Sequence, residues 1–239
     1  CIGKMHVHPA RKHCGFQGLK LHDGYLGHYR SQNIPHHQHQ EVTDDYLYYL
    51  KDKLGQHADI TSTGPECNSW IVHPWIYDEK LHPTNWTDES IRFLQTRDRT
   101  RPFFLMTSFV RPHQPFDPPQ TYFDLYRDKE LRAPAQGDWV DPTLTEKYGF
   151  IKDSIFGCND SESRRLAMAG YYACITHVDH QIGRILTALA ETGDYNNTIV
   201  LFLADHGELL FDNNFYRKAL PYEGSTHIPL LVHVGKNVQ

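Results

Sequence analysis

Thr198-Ile-Val-Leu-Phe-Leu-Ala-Asp-His-Gly-Glu208 is an apolar run that stops at a carboxylate and an imidazole side by side. A run this rich in β-branched and aromatic residues predicts a strand covered on both faces. Asp205 and His206 then fall where the strand runs out, and Gly207 lets the chain turn. In open α/β sheets, ligands bind at the carboxyl ends of the strands. An oxygen and a nitrogen donor at such a place suit a divalent cation. The competing reading is an Asp that caps the next segment beside a His that packs. On spacing alone the two are balanced.

Outward from this run, Ser161 to about Thr192 carries the strongest helical pattern. Ser161 reads as its cap, Val178, Ile182, Ile185, Leu186 and Leu189 recur at helical spacings, and Gly193 closes it. Glu41 to Leu54 predicts a second helix through Val42, Tyr46, Tyr49, Leu50 and Leu54, stopped by Gly55. A third starts with Thr87 as cap and runs to about Thr96. Phe103 to Val110 and Ile228 to Val234 read as strands. Arg111 to Pro119 holds too many prolines for regular structure. Thr121 to Asp160 is a connection long enough to be functional or to hide short elements. Helix, strand, loop and strand in this order predict an α/β fold, a mostly parallel sheet with helices on both faces. No internal boundary divides residues 1–239.

The 239 residues suffice for one such domain with a real core. The formal charge is −5 with no basic block, so nucleic acid is not an expected partner. No stretch approaches the roughly 20 apolar residues of a membrane span, so no membrane is expected either. Cys1, Cys14, Cys67, Cys158 and Cys174 form no Cys-x-x-Cys pair, and neither a zinc knuckle nor a disulfide framework is implied. Both ends look cut, and the expectation is a piece of a longer protein.

Four separate places put chargeable groups on loops beside apolar elements. Lys4 and His6 sit two residues apart on a segment read as extended, so both would face one way and could grip one anion. His113 is locked between Pro112 and Gln114-Pro115, which fixes its ring for proton donation or oxyanion contact. Asp205 and His206 are the third place. Lys218, ahead of the rigid turn Pro221-Tyr-Glu-Gly224, is the fourth. Singly, Lys4, His6 and Lys218 read better as solvated loop charges, and His113 is evenly matched with a simple turn. Together they would form a cationic pocket around a metal-binding carboxylate. Such a pocket suits the spread negative charge of a transferring sulfuryl or phosphoryl group. His177, Asp179 and His180 lie within one helical turn, but the helix period turns Val178 and Ile182 inward and leaves the three flanking the buried face. His36, His37 and His39 read as an exposed loop. Trp70 and Trp75 read as core aromatics ahead of sugar-stacking rings.

Five stretches in order resemble arylsulfatases: Gly3-Lys-Met-His6, Ser108-Phe-Val-Arg-Pro-His-Gln-Pro-Phe-Asp-Pro-Pro119, Asp179-His-Gln-Ile-Gly-Arg-Ile-Leu186, Ala204-Asp-His-Gly-Glu208 and Pro221-Tyr-Glu-Gly224. Arylsulfatases belong to the formylglycine-dependent sulfatase family of the alkaline-phosphatase superfamily. The resemblance implies an alkaline-phosphatase-like fold, truncated at both ends, and hydrolysis of an aryl or carbohydrate sulfate ester. It implies that Lys4 and His6 contact the sulfate and the activated nucleophile, and that His113 contacts the sulfate or protonates the leaving oxygen. It also implies that Lys218 binds sulfate oxygens and that Asp205 and His206 are two metal ligands. Many family members carry Asn where this chain has His206. Calcium is the favoured ion, with magnesium or manganese as alternatives. The implied partner is a sulfated small molecule or glycan, and the implied compartment is periplasmic or extracellular.

The chain departs from the family at its nucleophile, a Cys or Ser opening Cys/Ser-x-Pro/Ala/Ser-x-Arg that matures to formylglycine. No cysteine here has Arg four positions on. Ser161-Glu-Ser-Arg-Arg165 fits the serine form but follows Gly3-Lys-Met-His6 and reads as a helix start. The formylglycine and the first metal-binding Asp pair are therefore expected upstream of this chain, and the smaller C-terminal domain beyond it. Two alternatives stay open: a phosphonate monoester or phosphodiester hydrolase of the same superfamily, and a non-catalytic binding protein that lost the nucleophile. On this reading the 239 residues alone have no turnover, and the ion at Asp205 is absent or weakly held.

Overall fold

The computed structural model describes residues 1–24, 45–55, 58, 69–151 and 154–238. The readings of His36, His37, His39 and Cys67, and the first residues of the helix expected from Glu41, lie outside them.

A short strand β1 (Ile2–Gly3) forms the centre of a parallel sheet, flanked by β2 (Lys20–Leu21) and β3 (Thr107–Ser108). Gly3 has φ 98°, and a Cβ there would lie 1.9 Å from the Ser108 carbonyl oxygen. Only glycine allows both that conformation and that approach. The Lys4 amide donates to the same carbonyl at 2.9 Å, so Lys4 leaves β1 beside the carboxyl end of β3. β3 is shorter than the apolar run Phe103–Val110 predicts, because the ladder with two-residue β1 ends at Ser108; Phe104 is 76% exposed.

Helix α1 (Asp45–Leu54) buries Tyr46, Leu47 and Leu50, and the Tyr46 hydroxyl donates to the Leu81 carbonyl at 2.7 Å. Trp75 completes this cluster, and Trp70 packs beside a second, so both tryptophans serve the core. Helix α2 (Asp88–Thr96) follows a 3-10 turn over Pro83–Thr87. Thr87 does not cap α2 with its side chain: the chain arrives already coiled, and the Thr87 hydroxyl donates to the Thr84 carbonyl. The long connection hides α3 (Gln120–Phe123) and α4 (Pro142–Tyr148).

Helix α5 (Ser161–Glu191) is the spine of the molecule. Its cap is Asp160, one residue ahead of the expected Ser161, and the Asp160 carboxylate accepts the Ser163 amide at 2.7 Å. Small buried residues Ala167, Ala169, Gly170 and Ala173 let other segments come close. Phe116, Leu210, Phe211 and Tyr216 join Ala167 and Met168 of α5 in one cluster. His177 departs from the expected pattern: it is buried with Val178, not left at the flank.

Strands β4 (Ile199–Leu203) and β5 (Leu230–Val234) pair antiparallel, from Ile199 opposite Val234 to Leu203 opposite Leu230, with α6 (Glu223–Thr226) between them in sequence. The expectation that β4 is covered on both faces is corrected. Val200 packs beside Ile185 and Leu189 of α5, while Leu201 and Leu203 are each 58% exposed. An apolar run records what a strand can tolerate on each face, not which elements reach it. Among the described residues no helix is long and apolar enough to cross a membrane.

A buried polar chain links α5 to the proline-rich loop. Arg111 grips Asp117 in two parallel hydrogen bonds, Nη2 to Oδ2 at 2.6 Å, with both side chains shielded from water. His82 Nδ1 accepts the Thr84 amide, and its Nε2 donates to the Asp117 carbonyl at 3.0 Å. The His82 ring meets that of His177 at 4.8 Å, and His177 Nε2 pairs with Asn85 Oδ1 at 3.1 Å. Burial first, then the neighbouring His82, drives the His177 pKa down to about 2.

Removing one member of a buried ion pair leaves the other charge stranded. Asp117→Ala should therefore cost roughly 3–5 kcal/mol in urea unfolding at pH 7, and a loss below about 1 kcal/mol would contradict the buried pair. The folded pKa of His177 lies below its unfolded value near 6.5, so the unfolded chain takes the proton first. Stability is then lost as pH falls from about 6.5 toward 2. His177→Gln should flatten that slope by up to about 1.4 kcal/mol per pH unit, and an unchanged slope would refute the assignment.

Candidate active site

Segments leaving β1, β3 and β4 by their carboxyl ends meet at one place, and the loop before α6 joins them. The loop after β3 is fastened from below. Arg111 and Asp117 close it, Phe116 anchors it in the core, and Pro112 and Pro115 remove two backbone donors within it. His113 is held above this base by its amide, which donates to the Val110 carbonyl at 3.0 Å. Its Nδ1 pairs with the Gln114 carbonyl at 3.0 Å and so carries the hydrogen. Nε2 is left as an acceptor facing the Lys218 ammonium at 2.6 Å. Burial, then the charge of Lys218, pushes the His113 pKa down to about 3. His113 is therefore neutral at pH 7.

His206 repeats the device one strand away. Its Nδ1 pairs with the Gly207 carbonyl at 2.7 Å, and its ring lies 6.0 Å from that of His113 at an interplanar angle of 72°. Gly207 is required here, since a Cβ would fall 2.1 Å from the Gly224 carbonyl oxygen. Asp205 Oδ2 accepts from Lys4 Nζ at 2.6 Å, and Oδ1 lies 3.8 Å from His206 Nε2. Burial pulls the Asp205 carboxyl upward, but the Lys4 hydrogen bond and charge, helped by His206, hold it below the ordinary carboxylate range.

Lys218 is delivered by an unusual loop. Leu210, Phe211, Asn213, Asn214 and Arg217 all have positive φ, between 45° and 75°. Such non-glycine conformations cost about 1–3 kcal/mol each and persist only where surroundings over-determine them. Here Leu209 N donates to Arg217 O at 2.8 Å, Phe211 N to Phe215 O at 2.7 Å and Gly157 N to Asn214 O at 2.6 Å. Phe211 and Tyr216 stack at 5.5 Å beneath the loop.

Lys4, His113, Asp205, His206 and Lys218 thus come together, while His6 does not share the expected alternation. At φ 53° it turns the chain out of the extended run, and its side chain is exposed. The Met5 and His6 amides both donate to Asp23 Oδ1. Two residues at the site went unnoticed in the sequence, Gln114 and Glu208. Gln114 Nε2 donates to Glu208 Oε2 at 2.6 Å, and Glu208 Oε1 accepts the amides of Leu210 and Arg217. Both lie within quoted motifs, but no spacing rule pairs residues 94 positions apart.

Chemically, two ammonium groups and two imidazoles around one exposed carboxylate are groups suited to contact an anion. For a divalent cation the donor set falls short. Asp205 and His206 supply two donors, Lys4 occupies one Asp205 oxygen, and no group of three or more His, Cys, Asp or Glu among the described residues could hold a metal ion. These residues fit one edge of a coordination sphere and do not complete it.

A family model described as Sulfatase matches residues 1–239. An arylsulfatase of Clostridium perfringens is 48% identical over 234 residues, covering 98% of this chain and 49% of that protein. A choline-sulfatase of Rhizobium meliloti is 31% identical over 136 residues, 55% of this chain and 26% of that protein. The crystal structure of a phosphonate monoester hydrolase of Agrobacterium radiobacter superposes with a TM-score of 0.66 at 28% identity, covering 80% of this chain and 41% of that one. The chain spans about half the length of the arylsulfatase it matches.

Lys218 is the second cause of the low His113 pKa, after burial. Lys218→Met should raise that pKa above about 3 while leaving it below 6.5, as read by NMR titration of the ring. No change would mean that the two side chains do not meet in solution.

Proposed function

The chain belongs to the sulfatase family, and we propose that within the intact protein it hydrolyses a sulfate ester of an aryl alcohol or carbohydrate. The observation that carries this reading is the 2.6 Å approach of Lys218 Nζ to His113 Nε2, with the Lys4–Asp205 pair near enough for the Lys4 charge to act on His113. A cation held this close to a neutral imidazole gives an anion a charge to bind and a proton to receive. In this proposal Lys218 and Lys4 take the sulfuryl oxygens, whose charge grows as the ester bond breaks. Bound sulfate favours the protonated form of the Lys218–His113 pair, and that pair passes a proton to the leaving oxygen through His113 Nε2. The attacking group is not drawn from the described residues. Cys1, Cys158 and Cys174 are buried, burial raises the thiols of the last two above the ordinary range, and the exposed Cys14 has Gly18, not Arg, four positions on. A formylglycine outside these 239 residues is the proposed nucleophile.

Asp205 and His206 are proposed as two ligands of a divalent cation, calcium being favoured, with the remaining ligands supplied by residues other than those described. A bound cation would polarise a sulfuryl oxygen. Lys4 would then exchange Asp205 for the substrate.

In the intact protein, turnover of 4-nitrophenyl sulfate should exceed that of a phenylphosphonate monoester. Lys218→Ala and His113→Ala should each lower kcat/KM for the sulfate by about 10²–10⁴-fold. Preferential phosphonate hydrolysis would move the assignment to the alternative chemistry. Substitutions that left kcat/KM intact would remove these residues from the mechanism.

A further inference from the structure

We propose that Glu208 is the positioning residue that sets the Lys218–His113 pair, acting through backbone amides and Gln114 and not by touching substrate. The proposal rests on the anion-receptor reading of that pair. Glu208 follows Asp205-His206-Gly207 and leans beneath the pocket. Its Oε2 accepts Gln114 Nε2 at 2.6 Å, and Gln114 is the residue after His113. Its Oε1 accepts the amide of Arg217, the residue before Lys218, and that of Leu210 at 3.2 Å. One carboxylate therefore ties the segment bearing His113 to the segment bearing Lys218, from the segment bearing His206.

The two amides it holds belong to residues that resist their conformation. Leu210 has φ 45° and Arg217 φ 73°, and neither is a glycine. A strained backbone relaxes when its hydrogen bonds are withdrawn. Relaxation at Arg217 swings the Cα of Lys218, and a small swing there is magnified along a long side chain. Gln114 is almost wholly buried, so its amide has few other partners in reach. The carboxylate is suited to the task because it can accept two amides on one oxygen and a side-chain donor on the other.

Electrostatics alone makes the opposite forecast. Burial raises the Glu208 carboxyl pKa, against the pull of its three donors and of Lys218; whenever it is ionised its charge repels an anion, so on electrostatics alone its removal should draw an anion in more tightly. A positioning role requires that the isosteric amide be tolerated, because the side chain introduced by Glu208→Gln keeps an oxygen for the backbone amides and can donate to a flipped Gln114. Truncation must then fail. The two accounts differ in sign for Glu208→Ala.

The test is inorganic sulfate binding to the intact protein, measured by calorimetry well below the unfolding temperature for wild type, Glu208→Gln, Glu208→Ala and Gln114→Ala. A core control, Leu50→Ala, lowers stability in the Tyr46 cluster without touching the site. The expected result is wild-type binding, Glu208→Gln within about threefold of it, Glu208→Ala and Gln114→Ala weaker by about tenfold or more, and Leu50→Ala unchanged. If Glu208→Ala does not fold, Gln114→Ala carries the same test, since it cuts only the tie to the His113 segment. Wild-type binding with Glu208→Ala or Gln114→Ala as tight or tighter overturns the positioning role and leaves the receptor standing. No sulfate binding by wild type overturns the receptor itself, and the positioning role with it.

Discussion

Arg111 and Asp117 lie six positions apart, each almost fully buried, joined by two hydrogen bonds between guanidinium and carboxylate. A pair so placed adds little net stability over a packed apolar pair, but it tolerates only one geometry, because any other strands two charges away from water. That constraint fixes the loop between them, and with it Phe116 in the core and His113 above it. His82 reads the far side of Asp117, and His177 reads His82, so the loop is registered against α5. The segments after β4 dock on the same cluster through Leu210, Phe211 and Tyr216. The pocket is a consequence of this shared floor.

Each ammonium in the pocket has a hydrogen-bond acceptor against it, a carboxylate for Lys4 and an imidazole for Lys218. Lys4 rests on Asp205, and Lys218 rests on the lone pair of a histidine that burial keeps neutral. Neither arrangement needs a ligand, and both can be exchanged for an incoming anion without leaving a carboxylate in isolation, since Asp205 is 64% exposed. The neutral state of His113 is what lets an ammonium sit 2.6 Å from its ring. Charged, the ring would repel Lys218.

The α/β class, the long helix and the strand that ends at Asp205 were legible in the sequence, because periodicity and apolar runs report burial directly. So were Lys4, His113, Asp205, His206 and Lys218 as residues that meet, although their roles rest on chemistry and not on proximity. What escaped was set by tertiary contact. His177 looked like a flank residue because the helical period counts polarity, while its burial depends on His82, Tyr122 and Asn85 arriving from elsewhere. β4 looked doubly covered because Leu201 and Leu203 are apolar, yet cover depends on which elements lie beside it. His6 looked aligned with Lys4 until the backbone turned left-handed at that residue. Glu208 and Gln114 carry no local signal of their pairing at all, since it exists only once both loops are seated.

The central claim is that these loops converge on a single anion site bounded by Lys218, His113 and Lys4. Its most direct test is the position of a heavy oxyanion, tungstate, located by anomalous scattering in crystals of the chain. The account predicts one dominant peak whose oxygens lie about 3 Å from Lys218 Nζ and within hydrogen-bond reach of His113 Nε2. A fully occupied peak elsewhere on the molecule, with none between these side chains, would contradict it.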